Sequence, residues 1–230
     1  MYDSRIKNSI NTWNSISKSF DNTRKKPWDI CLDYIYSLDE NNIFADIACG
    51  NGRHLIPASK HLKKLYGIDV SDSLLNINNK IIKEEKITNI SLIQSDAVNI
   101  PIKDNSVDSL IFIAALHNIK YRDNRIHCLK EIKRILKKDG TSLISVWSRW
   151  QDKFRKEFFK KWFKSFGKND FGDIDIYWRQ NNHNIPRFYH LYSKKEFIKD
   201  INESGLEIIE IRDLFISSNN HPDNFFAFVR

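Results

Sequence analysis

Three aspartates and two glycines in the first half of the chain have the types and spacing to hold a nucleoside. The run Asp46-Ile47-Ala48-Cys49-Gly50-Asn51-Gly52-Arg53 closes a short apolar segment. Gly50 and Gly52 let the backbone turn sharply and approach a ligand where a Cβ would collide. Seventeen residues past Gly52 a second apolar segment ends at Asp69. A carboxylate there can accept hydrogen bonds from both hydroxyls of a ribose. A third segment ends in Ser95-Asp96-Ala97, where Asp96 is placed to take the exocyclic amine of an adenine. The three tips outline an adenosine pocket, with Asp46, Ala48, Gly50, Gly52, Asp69, Asp96 and Ala97 as its residues.

These tips need a scaffold that brings consecutive strand ends together, and the hydrophobic pattern supplies one. Residues 43–50, 65–70, 90–97, 107–116 and 141–148 read as apolar strands. Between them, helical spacing predicts helices over 53–64, from Ser71 to about Lys86, and over 124–138. Ser71 can cap the second of these, and Asp139-Gly140 stops the third. Ser193 and Glu196 stand at capping-box spacing for a helix over 193–204. Residues 206–215 and 224–230 are two strands with no helix between them, so they pair antiparallel. Residues 8–20 and 27–38 are helical, with Pro27 opening the second. The expected fold class is α/β, a Rossmann-like seven-stranded sheet, mostly parallel with the last strand antiparallel, and helices on both faces. Its length suits one domain over 1–230, with N-terminal helices through residue 40 and a basic, aromatic insertion at 149–192. Ligands of such sheets bind beyond the carboxyl ends of the strands, here next to Ala48.

The nucleoside could belong to NAD or to S-adenosylmethionine. A dinucleotide loop wants a third glycine, so that a helix N-terminus can approach the pyrophosphate. That place holds Leu55. Asp46 also suits a ligand carrying an ammonium and a sulfonium better than one carrying phosphates. Both points favour S-adenosylmethionine.

DIACGNGR, GIDVS, SDAVNIPIKDNSVDSLIF and LKEIKRILKKDG resemble the successive motifs of class I methyltransferases over about residues 40–150. Ala48 stands where that family usually has glycine. SISKSFDNTRKKPW, IAALHNIKYRDNRIHCLKEI, VWSRWQDKF and PRFYHLYSKKEF resemble the tRNA wobble-uridine carboxymethyl methyltransferases. That resemblance implies methylation of a 5-carboxymethyl carboxylate on the anticodon's first uridine, giving a methyl ester. It also implies a small zinc-binding activator protein covering an apolar sheet edge; the chain has no zinc motif of its own, so no metal is expected in it.

Such a reaction asks little of a general base, because a carboxylate is already ionised at neutral pH. It asks for positioning and for a cationic clamp, which arginine provides bidentately. Arg24, Arg125 and Arg187 lie in the family-like segments and are the candidates. His117 follows the fourth strand, where an acceptor would approach the methyl group; the resembled family usually has a second histidine where this chain has Asn118. Each also has a packing or surface reading: Arg24 pairing with Asp21 or Asp29, Arg125 solvated on its helix, Arg187 and His190 bracing the insertion.

Composition bounds the partners. Of 230 residues, 37 are Lys or Arg and 29 Asp or Glu, a net charge of +8 that fits either a polyanionic partner such as nucleic acid or a compositional bias toward lysine along the whole chain. In the insertion, Phe154, Phe158 and Trp162 share a helical face among lysines; the stripe predicts packing, the lysines RNA contact. Cys31, Cys49 and Cys128 are scattered and odd in number, which excludes a disulfide framework. No apolar run is long enough to span a membrane, and a soluble, cytoplasmic protein is expected. A small-molecule methyltransferase acting on a quinone precursor, and an inactive binding subunit of the same fold, are the alternatives.

Overall fold

The computed structural model describes residues 4–162, 171–180 and 184–230. Its centre is a sheet of order β3-β2-β1-β4-β5-β9-β8. The strands are β1 (Ile43–Ile47), β2 (Lys64–Asp69), β3 (Ile90–Gln94), β4 (Val107–Phe112), β5 (Leu136–Trp147), β8 (Ile208–Leu214) and β9 (Asn224–Val229). β3, β2, β1, β4 and β5 run parallel, and β9 is antiparallel to both β5 and β8. The order reverses between β1 and β4, which is where the cavity lies.

Both faces are apolar because successive strand residues alternate. Ala45 and Ile47 of β1 join Leu110, Phe112, Ile144 and Val146 under α5 (Arg122–Ile135) and α7 (Lys194–Ser204). Phe44 joins Leu65, Ile111, Leu143 and Phe226 under α2 (Asp29–Tyr36) and α3 (Leu55–Ala58). At roughly 1.5–3 kcal/mol for each large aliphatic or aromatic side chain buried, these two layers supply most of the driving force.

Several boundaries differ from expectation for local reasons. The helix expected over 53–64 is the single turn α3, followed by i→i+3 turns through His61 that bury Leu62 before β2. α5 ends at Ile135, not at Asp139-Gly140. Leu136 is already extended and pairs with Val107, so residues 136–140 begin β5. Gly140 serves close approach there, since a Cβ would sit 2.9 Å from the Asp108 carbonyl oxygen. Pro27 lies outside α2, whose N-cap is Trp28. α1 (Ser4–Thr23) is longer than expected and folds over the cavity. Strands expected to reach 50, 97 and 116 stop at 47, 94 and 112, and the freed residues form the loops of the site.

A hairpin was not foreseen: β6 (Asp173–Trp178) pairs antiparallel with β7 (Ile185–His190). The alternation Ile174, Ile176, Trp178 was the available signal. Phe154 and Phe158, on the loop and start of α6 (Arg155–Trp162), pack with Ile174, Tyr189 and Leu191 beneath it. That is the packing reading of the stripe; the side chain of Trp162 lies outside the described residues. No helix among the described residues is long and apolar enough to cross a membrane.

Candidate active site

A cavity of about 480 Å³ opens beyond the carboxyl ends of β1 to β4, roofed by α1 and β7. Asp46, Ala48, Gly50, Asp69, Asp96 and Ala97 all line it. Gly50 has φ 55° and Ala48 φ 57°, so the turn after β1 is left-handed at both residues. For Ala48 that geometry costs roughly 1–2 kcal/mol, which glycine would avoid. Gly52 stands one step back from the cavity. A Cβ on it, at φ 82°, would collide with the side chain of Asn78 on α4 (Asp72–Glu84), so it seats the loop on that helix.

Backbone amides hold two of the three carboxylates. Asp69 accepts from Gly50 N and Ser71 N, both at 2.8 Å. Burial pushes its carboxyl up to about 6 despite those bonds. Asp46 is 2% exposed and its Oδ2 has no hydrogen-bond partner. Burial raises it well above the usual carboxylate range, while the Arg53 charge works the other way. Asp96 accepts from Arg5 of α1 at 2.5 Å and from Val98 N at 3.2 Å; a carboxylate with about four lone-pair sites keeps room for an adenine amine.

An orphaned, buried carboxylate oxygen beside a cationic ligand's expected position is the test of fit for S-adenosylmethionine, and Asp46 meets it. The cofactor supplies a methyl group on a positive sulfur. Asp46 would face its positive groups, Asp69 the ribose and Asp96 the adenine. Binding a cation next to Asp46 and hydroxyl donors at Asp69 favours both ionised carboxylates. Cofactor binding is therefore expected to release protons, and affinity to fall by up to about tenfold per pH unit below about pH 6. Calorimetry in buffers of different ionisation heat measures the release; an affinity constant from about pH 5 to pH 7.5 contradicts it.

On the acceptor side the structure brings together Arg24 and Arg187 but not Arg125 or His117. Arg187, on β7, is 8% exposed and lines the cavity. Its guanidinium carbon lies 4.8 Å from the Trp178 ring, 5.1 Å from Tyr189 and 5.8 Å from Trp13. Among the described residues no carboxylate pairs with it, and its Nε is unpartnered. Burial lowers its pKa, as does the nearby charge of Arg24, while the hydrogen-bonded Tyr189 side chain works the other way. Arg24 is exposed, lines the cavity, and donates to the Thr23 carbonyl at 3.0 Å; it pairs with neither Asp21 nor Asp29. Asp21 instead accepts from Asn51 at 2.8 Å.

Arg125 neither clamps the cavity nor meets solvent. It is 1% exposed, donates to the Ile119 carbonyl at 3.3 Å and lies over Tyr192 at 5.7 Å. The phase of α5 explains this: 125 shares the buried face with Leu129 and Ile132. His117 is fully buried and does not line the cavity. Its Nδ1 accepts from Trp147 N at 3.1 Å, and its ring stacks on Tyr189 at 5.2 Å. Burial pushes its pKa down to about 3, so it is neutral. The neighbouring Asn118 takes the cavity-lining place and donates to the Phe188 carbonyl at 3.2 Å, tying the turn to β7. His190 braces the insertion, with both ring nitrogens on carboxylates: Asp173 at 2.7 Å and Glu196 at 2.8 Å. Among the described residues no group of three or more His, Cys, Asp or Glu side chains is arranged to hold a metal ion.

The doubly wound sheet, the left-handed turn after β1 and acidic tips on β1, β2 and the β3 loop define a nucleoside-binding α/β protein. Residues 45–144 match the family model described as a methyltransferase domain. The tRNA (carboxymethyluridine(34)-5-O)-methyltransferase of Mus musculus is 32% identical over 140 residues, 61% of this chain and 20% of that protein. This chain thus spans about a fifth of the mouse relative. The Schizosaccharomyces pombe protein of the same name is 26% identical over 220 residues, covering 86% of this chain and 88% of that one. A demethylmenaquinone methyltransferase of Staphylococcus saprophyticus is 28% identical over 176 residues, covering 73% and 71%. A methyltransferase structure from Methanosarcina mazei superposes with TM-score 0.71 at 19% identity, covering 89% of this chain and 97% of that one. The chain has the fold of the class I S-adenosylmethionine-dependent methyltransferases and matches a methyltransferase domain over residues 45–144; S-adenosylmethionine is the cofactor of that family.

Proposed function

We propose that the chain methylates the carboxylate of a 5-carboxymethyl group on the wobble uridine of tRNA, forming the methyl ester. One observation carries this: Arg187 is a buried guanidinium on the cavity wall with no carboxylate partner among the described residues. An uncompensated buried charge is costly, and an anionic acceptor removes that cost. Arg24 adds a second cation at the same wall, and Lys120 a third. In this reading the residues hold and orient. Arg187 grips the carboxylate in its plane, the acceptor oxygen faces the methyl group, and no base is required.

RNA as the carrier is supported by where the charges lie. Two arginines away from the cavity are paired, Arg134 with Glu131 and Asp104 and Arg230 with Glu207. Lys18, Lys25, Lys26 and Arg179, on α1, its following loop and β6's end, are exposed and have no carboxylate partner among the described residues. If these four cations meet phosphates, log K for tRNA is expected to fall with log salt with a slope of roughly −3. A salt-independent affinity contradicts RNA binding. The 28%-identical menaquinone-pathway relative keeps a small neutral acceptor as the second reading; it leaves Arg187 and the unpaired rim without a use.

A zinc-binding activator belongs to the same proposal, seated on the outer edge of β3, where Ile90, Leu92 and Ile93 are half-buried on an open strand. Full activity of the isolated chain contradicts that part. The deciding experiment incubates the protein with S-adenosylmethionine and tRNA from cells lacking this activity, followed by nucleoside mass spectrometry. A methyl ester at the wobble uridine is expected; methylation of a quinone precursor but not of tRNA overturns the reading.

A further inference from the structure

We propose that Trp178, pinned by Ser19 of α1, is a positioning residue that fixes the plane of the Arg187 guanidinium; this rests on the reading of Arg187 as the acceptor clamp. Trp178 ends β6 and is 4% exposed. It does not line the cavity, so it acts through Arg187 and not on the acceptor. In the hairpin register Arg187 faces Ile176, two residues before Trp178, so the two side chains share a face. Of the three aromatic rings around Arg187, that of Trp178 is nearest, at 4.8 Å.

The indole is itself held. Its Nε1–H donates to Ser19 Oγ at 2.7 Å, and Ser19 Oγ donates to the Ile16 carbonyl at 3.0 Å. Phe20, one residue on, meets the indole at 6.2 Å between ring centroids. α1 is in turn fastened to the cofactor loops by Arg5 on Asp96 and by Ser71 Oγ donating to Asn14 at 2.6 Å. Rings flanking a guanidinium attract it electrostatically and occupy its faces. What they leave free is its edge, where N–H groups form a planar fork matching a carboxylate. With no acid to orient Arg187, the hydrogen-bonded Tyr189 side chain holds one part of that fork and Trp178, the nearest ring, sets its plane.

The test uses the full chain labelled with ¹⁵N-arginine. In the wild type, the Arg187 Nη signals, identified by their loss in Arg187→Lys, are expected to be resolved because rotation of the guanidinium is hindered. Trp178→Ala merges them; Trp178→Phe and Ser19→Ala, milder changes, move them part of the way. In parallel, anticodon stem-loops carrying 5-carboxymethyluridine or neutral 5-carbamoylmethyluridine are titrated in the presence of S-adenosylmethionine. Trp178→Ala is expected to weaken the charged stem-loop about tenfold and leave the neutral one and the cofactor unchanged. Freely rotating Arg187 in the wild type, or equal weakening of both stem-loops, overturns the proposal. Hindered rotation that Trp178→Ala releases, with no wild-type preference for the charged stem-loop, upholds the positioning role and rejects the carboxylate acceptor.

Discussion

Asp69→Ala is expected to weaken S-adenosylmethionine by about 10² to 10³ in Kd, the largest effect of any single change on the cofactor side. The reasoning starts from what the carboxylate holds. Its two oxygens take the backbone N–H groups of Gly50 and Ser71, both from loops that line or border the cavity. Alanine leaves these buried donors without acceptors, at roughly 1–3 kcal/mol each, and removes charged acceptors for the ribose at roughly 1.5–3 kcal/mol each. The turn at Ala48 and Gly50 then loses the group that holds it left-handed. Stability of the unliganded protein is expected to change less. A carboxyl pushed to about 6 carries a desolvation penalty of roughly 3 kcal/mol at neutral pH, which its removal relieves. Calorimetry gives the affinity, and the cofactor-induced rise in Tm is expected to vanish. A Kd within threefold of wild type contradicts the assignment.

Arg187→Ala is expected to lower kcat/KM for the carboxymethyluridine acceptor by about 10² to 10³ while leaving cofactor affinity unchanged. Truncating one partner of a buried, hydrogen-bonded charge pair costs roughly 2–5 kcal/mol. Here the other partner is the acceptor itself, left in a desolvated cavity without its cation. Arg187→Lys keeps the charge but loses the planar fork and its stacking on Trp178 and Tyr189; it is expected to recover only part of the activity. Arg125→Lys serves as contrast. That residue is buried away from the cavity, so its replacement is expected to lower Tm with little specific effect on KM. Steady-state assays on the modified tRNA decide both. A loss below fivefold in Arg187→Ala rejects the clamp.

The acidic tips were legible in the sequence because each lies at or just beyond the end of a strand. Apolar runs of five or six residues set where strands end, and in a parallel sheet those ends gather on one side. Asp46, Asp69 and Asp96 therefore had to meet, whatever the helices did. Gly52 stands one step back from the cavity, and its need for glycine comes both from its φ of 82° and from Asn78, 26 positions away, which local reading does not see. Arg125 carried a usable signal in its spacing from Leu129 and Ile132, which placed it on the apolar face of α5. His117 carried none. Whether a polar residue after β4 points into the cavity or beneath β7 depends on the turn it sits in, and the turn presents Asn118 instead.

What the order of residue types alone determined is the doubly wound sheet, its switch point and the adenosine side of the cavity, since these follow from periodicity and from spacings of a few tens of residues. Tertiary structure decided the acceptor side. Arg187, Trp178, Ser19 and Trp13 come from β7, β6 and α1, up to 174 positions apart, and converge only because the hairpin docks on α1 over the strand ends. No local pattern encodes that meeting, because a buried guanidinium without an acid is disfavoured by every local rule. The packing of two distant segments around it, and the anion proposed to bind there, are what would make it tolerable.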